Sequence, residues 1–226
     1  MLKAEFHIHT KEDPLDAIKY SAKQAISYCS KLKYEVMSIT CHTKILFNKE
    51  LKDYAKQKNI LLIPGIEAFV EGKDVLIINP PTDFDNKKIM KLRQLEKLKQ
   101  ENALIIAPHP FYPRKDCLGN KLIKNIDLFD GIEYCHLYHK LFNLFNKKAI
   151  KIARKYNKPL IGTSDAHKLF QLNNTFTLVD SEKKTDSILE AIRKQKTKLI
   201  TRPLKSKQFF SIGQKAVLSY FHPKSI

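Results

Sequence analysis

Two histidines near the start of the chain could bind a metal ion together. His7 and His9 flank Ile8 in a segment that is predicted to be a β-strand running to about residue 9. Alternate side chains of a strand point to the same face, so both imidazoles would project together. Neutral imidazole is a common ligand of Zn²⁺. The pair could equally be two ordinary histidines on a strand, so its meaning depends on the rest of the chain.

Short apolar segments alternate with amphipathic ones along the chain and predict about seven β–α repeats. Continuous apolar strands are typical of a parallel sheet that is covered on both faces. A closed or nearly closed β/α barrel is the predicted architecture. A doubly wound open sheet is the alternative, although its usual Gly-rich first turn is missing. Predicted strands lie at about 35–40, 60–64, 74–78, 103–107, 129–134, 159–162, 175–179 and 198–201, and predicted helices at about 16–32, 49–58, 86–101, 142–156 and 186–196.

Ligand-type side chains collect where the predicted strands end. The carboxyl ends of barrel strands converge on one face, where active sites are built. Imidazole and carboxylate groups suit Zn²⁺, Mn²⁺ or Fe, and there are too many of them here for one tetrahedral ion. The sequence therefore predicts a cluster of two or three divalent metal ions. The residues at these positions are His7, His9, His42, His109, His136 and His167, together with Asp13, Glu67 and Asp165.

The composition limits the partners that the protein can have. Its formal net charge is +18, which would fit a nucleic acid or another polyanion but also solvated helix faces. Six glycines form neither a P-loop nor a G-x-G-x-x-G motif, which argues against nucleotide binding through a Gly-rich loop. No apolar run predicts a membrane span or a signal peptide. The four cysteines lack a C-x-x-C pair, and we expect reduced thiols and a cytoplasmic protein.

Several ordered motifs resemble those of the polymerase and histidinol phosphatase (PHP) family, in particular its short stand-alone archaeal-type proteins. The resemblance covers roughly residues 3–202. It implies a distorted (β/α)7 barrel over residues 1–202. Residues 203–226 form a basic and aromatic tail, which we expect to pack on the end of the barrel, with stacking on nucleic acid as the alternative. The motifs are His7-x-His9, Asp13, Thr-Cys41-His42, Pro-Gly-Ile-Glu67, Pro108-His109-Pro110 and Ser-Asp165-Ala-His167.

The same resemblance implies metal ligands. The first metal would be held by His7, His9, Glu67 and Asp165, and the second by Asp13, His42 and His167. Glu67 would bridge these ions, and His109 would serve a third metal together with Glu67. The chain departs from many relatives at two places, because the strand after Glu67 has no histidine and Cys41 replaces an aspartate. Cys41 would be a packed thiol or an additional soft ligand.

The implied activity is hydrolysis of a phosphate mono- or diester, in which hydroxide held by the metals attacks phosphorus. Arg114 could neutralise the phosphate oxygens, or it could be an ordinary loop charge. Either His136 or His139 could protonate the leaving group. The substrate would be a small phosphorylated molecule or a nucleic-acid end.

Two other functions remain open at this point. The chain could be an RNA-binding scaffold that resembles the PHP-like protein subunit of archaeal ribonuclease P. Such a scaffold works without its own metals and has no need to retain the full set of ligand-type residues. The chain could also be a metal-dependent hydrolase of C–N bonds, since related barrels use similar ligands. Activity on phosphate esters compared with amides would separate this C–N hydrolase from a phosphoesterase.

Overall fold

The first sheet places the histidine pair of the N-terminal segment just beyond the end of its central strand, β1. In the computed structural model, which describes residues 1–89 and 91–212, this sheet has the strand order β10-β9-β1-β2-β3. The parallel strands are β1, β2 and β3, whereas β9 is antiparallel to both β1 and β10. The bounds are β1 (Leu2–Glu5), β2 (Val36–Met37), β3 (Leu61–Leu62), β9 (Thr175–Val179) and β10 (Thr197–Thr201).

The second sheet has the order β4-β5-β6-β7-β8 and begins with a hairpin. Glu71 and Gly72 both have positive φ, which the tight turn between β4 and β5 requires. The pairs β4–β5 and β5–β6 are antiparallel, and the remaining pairs are parallel. The bounds are β4 (Gly65–Val70), β5 (Lys73–Ile78), β6 (Leu104–Ala107), β7 (Gly131–Cys135) and β8 (Leu160–Thr163).

Helices cover the outer faces of the sheets, and α1 shows how their sequences position them. Ser21 caps its first turn, and Gln24 completes a capping box, so the helix begins at Ala22 rather than at residue 16 as predicted. Its apolar residues recur at helical spacing and are buried against the first sheet. The helices are α1 (Ala22–Lys31), α2 (Lys49–Gln57), α3 (Leu95–Gln100), α4 (Asn120–Lys124), α5 (Leu144–Lys155) and α6 (Thr185–Arg193).

The two sheets face a shared core and meet at two isolated backbone bridges. Buried side chains from both sheets, such as Val36 and Ile106, belong to one apolar cluster. Ile8 pairs with Ala166 at one junction, and His42 pairs with Glu67 at the other. Both junctions therefore carry candidate ligands or their direct neighbours.

The mixed α/β class that the sequence predicts is confirmed, but a closed (β/α)7 barrel is not. Within the described residues the strands form two separate hydrogen-bonded sheets. The β4–β5 hairpin replaces a β–α repeat, and β9 runs antiparallel to β1, so the uniform parallel ladder of the predicted barrel is interrupted. The predicted helix over 86–101 also breaks into two 3-10 turns before α3, and α4 was not predicted.

The start of the C-terminal tail lies against the loop after β7. Leu204 is buried and forms a backbone bridge with His139. The ring of Phe209 lies 5.7 Å from that of His139 and 6.1 Å from that of Phe142. The rest of the tail, 213–226, falls outside the described residues, so its predicted packing stays a prediction. In the part of the chain that is described, no helix has the length and apolarity that crossing a membrane needs.

Candidate metal centre

Four ligand atoms meet at the junction of the two sheets with the spacing of a tetrahedral metal site. His7 Nε2 and His9 Nε2 are 3.1 Å apart. Glu67 Oε2 lies 3.3 Å and 3.2 Å from these two nitrogens, and Asp165 Oδ1 lies 3.4 Å and 3.3 Å from them. Ligands about 2.0 Å from a central ion at the corners of a tetrahedron are about 3.3 Å apart. These five spacings match those of ligands around one divalent ion, and the ligand atoms of His7, His9 and Asp165 all lie within 4.8 Å of one another.

The backbone explains why these side chains converge. Ile8 bridges to Ala166, and the amide of His9 donates to the carbonyl of Ala166, which fixes the N-terminal segment beside the end of β8. Asp165 has a φ of 42° and His109 a φ of 27°, both in the left-handed region that favours glycine. Strained residues of this kind are concentrated at functional sites, where the surrounding structure maintains them.

A second group of ligand atoms lies beside the first and shares Glu67 with it. His42 Nε2 is 3.1 Å from Glu67 Oε2, and His42 Nδ1 is 3.5 Å from Asp16 Oδ2. Asp16 Oδ2 is also 2.8 Å from His167 Nε2. The sequence prediction missed Asp16, because it was assigned to the start of a helix that actually begins at Ala22. Its position three residues after Asp13 in the same loop was the only available signal.

Asp13, a predicted ligand, lies beneath this second group and is saturated with hydrogen bonds. Its Oδ2 lies 2.9 Å from His9 Nδ1 and 3.1 Å from His42 Nδ1, and it accepts from the backbone amide of His42 at 2.8 Å. Its Oδ1 accepts from the amides of Leu15 and Asp16. The side chain is completely buried. Its ligand atom also lies within 4.8 Å of those of His9, Asp16 and His42, so its role as a metal ligand stays a prediction, and the same carboxylate orients two imidazoles.

The third group lies on the opposite side of Glu67. His109 Nε2 is 3.2 Å from Glu67 Oε1, and its Nδ1 is 3.3 Å from Cys117 Sγ. Ligand atoms of Glu67, His109 and Asp74 all lie within 4.8 Å of one another. Asp74 Oδ2 is buried and has no hydrogen-bond partner among the described residues. A buried carboxylate thus lies on β5, the strand that follows Glu67 and contains no histidine.

Glu133 on β7 supports the first group and was also missed by the sequence prediction. Its Oε1 lies 2.7 Å from His7 Nδ1, and both side chains are fully buried. Its carboxylate also accepts from the hydroxyl of Thr163 and from the backbone amide of His109. A carboxylate behind a ligand histidine fixes the tautomer that leaves Nε2 free to bind. The available signal was a glutamate within an otherwise apolar strand.

The buried carboxylates of the centre favour positive charge on the side chains next to them. Burial favours neutral His7, but the carboxylates of Glu67, Asp165 and Glu133 outweigh this and raise the pKa of His7 to about 10. Burial would likewise raise the pKa of Glu67, yet the adjacent imidazoles hold it well below its usual range. The pKa of Asp74 is raised to about 7 by burial and by the charge of Glu67. Metal ions would replace the protons that these imidazoles otherwise carry.

The three residues predicted to assist catalysis have different surroundings. His136 is buried, lies 2.9 Å from the amide nitrogen of Gln171, and has a pKa lowered to about 4 by burial. An imidazole that is neutral at pH 7 accepts the Gln171 N–H and is poorly suited to donating a proton. His139 contacts Ser206 and Phe209, which do not belong to the three groups. Arg114 binds Asp116 through two nitrogens and lies 3.6 Å from Asp74, behind the third group.

Cys41 lies next to the second group but behaves as a packed thiol. Its side chain is fully buried, and its Sγ lies 3.5 Å from the hydroxyl of Thr10. Burial raises the pKa of the thiol, which keeps it protonated at neutral pH. Among the described residues, Cys41 belongs to none of the groups whose ligand atoms lie close enough together to hold a metal ion.

Comparison with known proteins gives one family match and one curated relative. Residues 143–197, a segment that includes α5 and Asp165, match the PHP-associated family model. The chain is similar to the uncharacterised protein MJ1587 of Methanocaldococcus jannaschii, with 28% identity over 169 residues. The aligned region covers 66% of this chain and 92% of the relative.

Solved structures share the fold at low sequence identity. A two-domain protein of Bacteroides vulgatus ATCC 8482, containing a predicted PHP-like metal-dependent phosphoesterase, superposes with a TM-score of 0.63 at 20% identity. That similarity covers 95% of this chain and 69% of the other. PsfC of Pseudomonas syringae PB-5123 gives a TM-score of 0.62 at 13% identity, covering 96% of this chain and 97% of PsfC.

Proposed function

Since the matched segment and the fold support a PHP family protein, we propose that the chain is a metal-dependent phosphoric ester hydrolase. The observation that carries the proposal is the position of Glu67, whose carboxylate contacts all three groups of ligand atoms. Its Oε2 faces His7, His9 and His42, whereas its Oε1 faces His109. One carboxylate can thus serve adjacent ions, which is the arrangement that hydrolases use to hold a phosphoryl group between metals.

The donor set fits divalent metal ions of the Zn, Mn or Fe type. Imidazole nitrogens and carboxylate oxygens are the ligands these ions prefer, and the tetrahedral spacing around His7 matches their bond lengths. Two or three such ions would lower the pKa of water towards neutrality and stabilise the negative charge of a phosphoryl group in transfer.

The protein residues then have separate tasks. His7, His9, Glu67 and Asp165 would bind the first ion, and His42, Asp16 and His167 the second. His109, Asp74 and the other oxygen of Glu67 would bind the third. Glu133 and Asp13 would hold the imidazoles of His7 and His9 in the tautomer that points Nε2 towards Glu67 and Asp165.

The test combines metal analysis with two ester substrates. Protein purified without chelator, or reconstituted with Zn²⁺ or Mn²⁺, should contain about two or more ions per chain. It should hydrolyse p-nitrophenyl phosphate or bis-p-nitrophenyl phosphate. Glu67→Gln should lose metal and activity together, because a neutral amide cannot supply two anionic oxygens. Glu182→Gln, at an exposed ion pair with Lys184, is the matched control and should behave as the wild type.

Two outcomes would favour the other functions that the sequence left open. Absence of ester hydrolysis together with RNA binding that survives metal removal would support a scaffold. Hydrolysis of amides but not of either phosphate ester would support a C–N hydrolase. Fewer than about one ion per chain after reconstitution would contradict a metal centre of any kind.

A further inference from the structure

A long groove opens directly from the candidate metal centre. Its volume is about 980 Å³, and it is lined by one face of α1 and the loop before it, by Tyr54 of α2 and by residues 167–170. Asp16 and His167, which belong to the second ligand group, form part of its lining. The ten residues of α1 extend about 15 Å along it. A substrate larger than one phosphate ester could therefore reach the centre and continue along the groove.

The charged residues that line the groove are predominantly basic. Its lining holds four lysines and a single carboxylate, Asp16, which lies at the metal end. Lys23 and Lys31 are two helical repeats of four residues apart on α1, so they project on the same side. The lysines in the lining are Lys19, Lys23, Lys31 and Lys168. A row of positive charges leading from the centre suits a chain of phosphates.

Aromatic rings lie between these lysines. The Nζ of Lys23 is 5.6 Å from the centre of the Tyr54 ring, and the Nζ of Lys168 is 5.6 Å from that of Phe170. The hydroxyl of Tyr54 is fixed at 2.6 Å from Ser27 on α1. Phe170 is 37% exposed, so part of its ring is open to the groove that it lines. Rings available for stacking next to cations are the elements that bind single-stranded nucleic acid.

We propose that this groove binds a single-stranded nucleic-acid chain, with its terminal phosphodiester at the metal centre and the following nucleotides along α1. The substrate assignment rests on the proposed hydrolase function, whereas the binding itself does not. In the reaction, water would supply a hydroxyl to phosphorus and a proton to the leaving oxygen as the P–O bond breaks. No further co-reactant is required.

The first experiment measures binding of fluorescein-labelled oligonucleotides by anisotropy over a salt series, with and without Mn²⁺. Affinity should rise from mononucleotide to octanucleotide. Replacement of Lys19, Lys23 and Lys31 by Gln should make the salt dependence shallower by about two in log–log slope, since each single-strand phosphate contact contributes about 0.7. The matched control replaces three exposed lysines of α5 by Gln and so removes the same charge; these are Lys147, Lys151 and Lys155. The control should leave the slope unchanged.

The ion pair between Lys23 and Glu50 allows a test of opposite sign. Glu50 Oε1 lies 2.5 Å from Lys23 Nζ and partly neutralises it. Glu50→Gln should therefore tighten oligonucleotide binding, by about two- to fivefold. Glu190 on α6, away from the groove, forms an ion pair of equal length with Lys194, and Glu190→Gln should leave oligonucleotide binding unchanged. Equal tightening in both variants would show that only net charge matters and would overturn the proposal.

Ring removal separates nucleic acid from other polyanions. Phe170→Ala should weaken oligonucleotide binding about tenfold and leave polyphosphate binding unchanged, because only bases stack. Polyphosphate that competes as well as an octanucleotide of the same charge would overturn the proposal. Parallel RNA and DNA series identify which strand the groove prefers.

Hydrolysis assays keep the two proposals distinguishable. In the groove triple variant, kcat/KM for an oligonucleotide should fall at least tenfold, whereas kcat/KM for bis-p-nitrophenyl phosphate should stay within twofold of the wild type. Groove-dependent binding without hydrolysis of any ester would refute the enzyme but retain the binding site. Ester hydrolysis with no effect of the groove variants would refute the groove and retain the enzyme.

Discussion

Substitution of Glu133 by glutamine should weaken metal binding without touching any ligand atom of the first group. Glu133 Oε1 lies 2.7 Å from His7 Nδ1, and neither side chain is exposed to solvent, so water does not screen the interaction. Loss of a carboxylate behind a ligand histidine costs about 10- to 100-fold in metal affinity, which is about 1.4–2.7 kcal/mol. The short contact and complete burial place the expected loss towards the upper end.

The same change should also lower the free energy of unfolding of the metal-free protein. The carboxylate of Glu133 accepts from Thr163 and from the backbone amide of His109, as well as from His7. A glutamine amide turns one of its oxygens into a donor, so one of these buried donors loses its partner. Such a loss costs about 1–3 kcal/mol. Urea unfolding of the chelated protein measures this term separately from metal affinity.

Competition with a chromophoric chelator measures Zn²⁺ affinity, and a double-mutant cycle with His7→Ala tests the mechanism. If Glu133 acts through His7, then Glu133→Gln should cost little further affinity once His7 is removed. Zinc affinity of Glu133→Gln within twofold of the wild type would refute this reasoning. A full additional loss in the His7→Ala background would show that Glu133 acts by another route.

Three further outcomes are expected. The pKa of His136 is lowered to about 4 in the folded protein, compared with about 6.5 in the unfolded chain, so the stability that neutral His136 contributes is present above pH 6.5 and is lost as the pH falls through 4. In urea unfolding, His136→Gln should therefore remove up to about 3 kcal/mol of the decrease in unfolding free energy over this pH range. Asp16→Asn should reduce the metal content measured by elemental analysis by about one ion, because Asp16 Oδ2 faces both His42 and His167. Gly162→Ala should lower the free energy of unfolding by about 1–3 kcal/mol, since its new Cβ would lie 2.7 Å from the carbonyl oxygen of Phe176, which is backbone and cannot yield; an unchanged melting temperature would contradict this.

Sequence reasoning predicted the ligand-rich rim because strand ends leave a local signal. His7, His9 and Asp165 follow apolar strands, whereas Glu67 follows β3 and lies within β4, and the structure brings their ligand atoms to within 3.1–3.4 Å of one another in the pairs described. Their role as metal ligands stays a prediction. The positions could be inferred because parallel strands end at a common edge, which is a property of the fold rather than of any one residue.

The supporting residues could not be inferred in the same way. Glu133 lies within a strand whose partner, His7, is 126 residues away along the chain. No local pattern records such a pairing. The closed parallel barrel was predicted because apolar strands have the same sequence pattern whether they pair in parallel or antiparallel. The antiparallel β4–β5 pair depends instead on the tight turn at Glu71 and Gly72.

The bridges that join the two sheets have a consequence for the order of events during synthesis. His7 and His9 leave the ribosome first, but Asp165, whose carboxylate lies beside both imidazoles, follows 156 residues after His9. At about 5–20 residues per second, this interval is about eight to thirty seconds. Early in this interval, before Glu67 emerges, the nascent chain offers a pair of imidazoles, and nitrogen ligands bind copper more strongly than zinc or manganese. In the proposed metal centre, selection of the ion therefore depends on the carboxylates of Glu67 and Asp165, of which Asp165 follows β8 late in the chain.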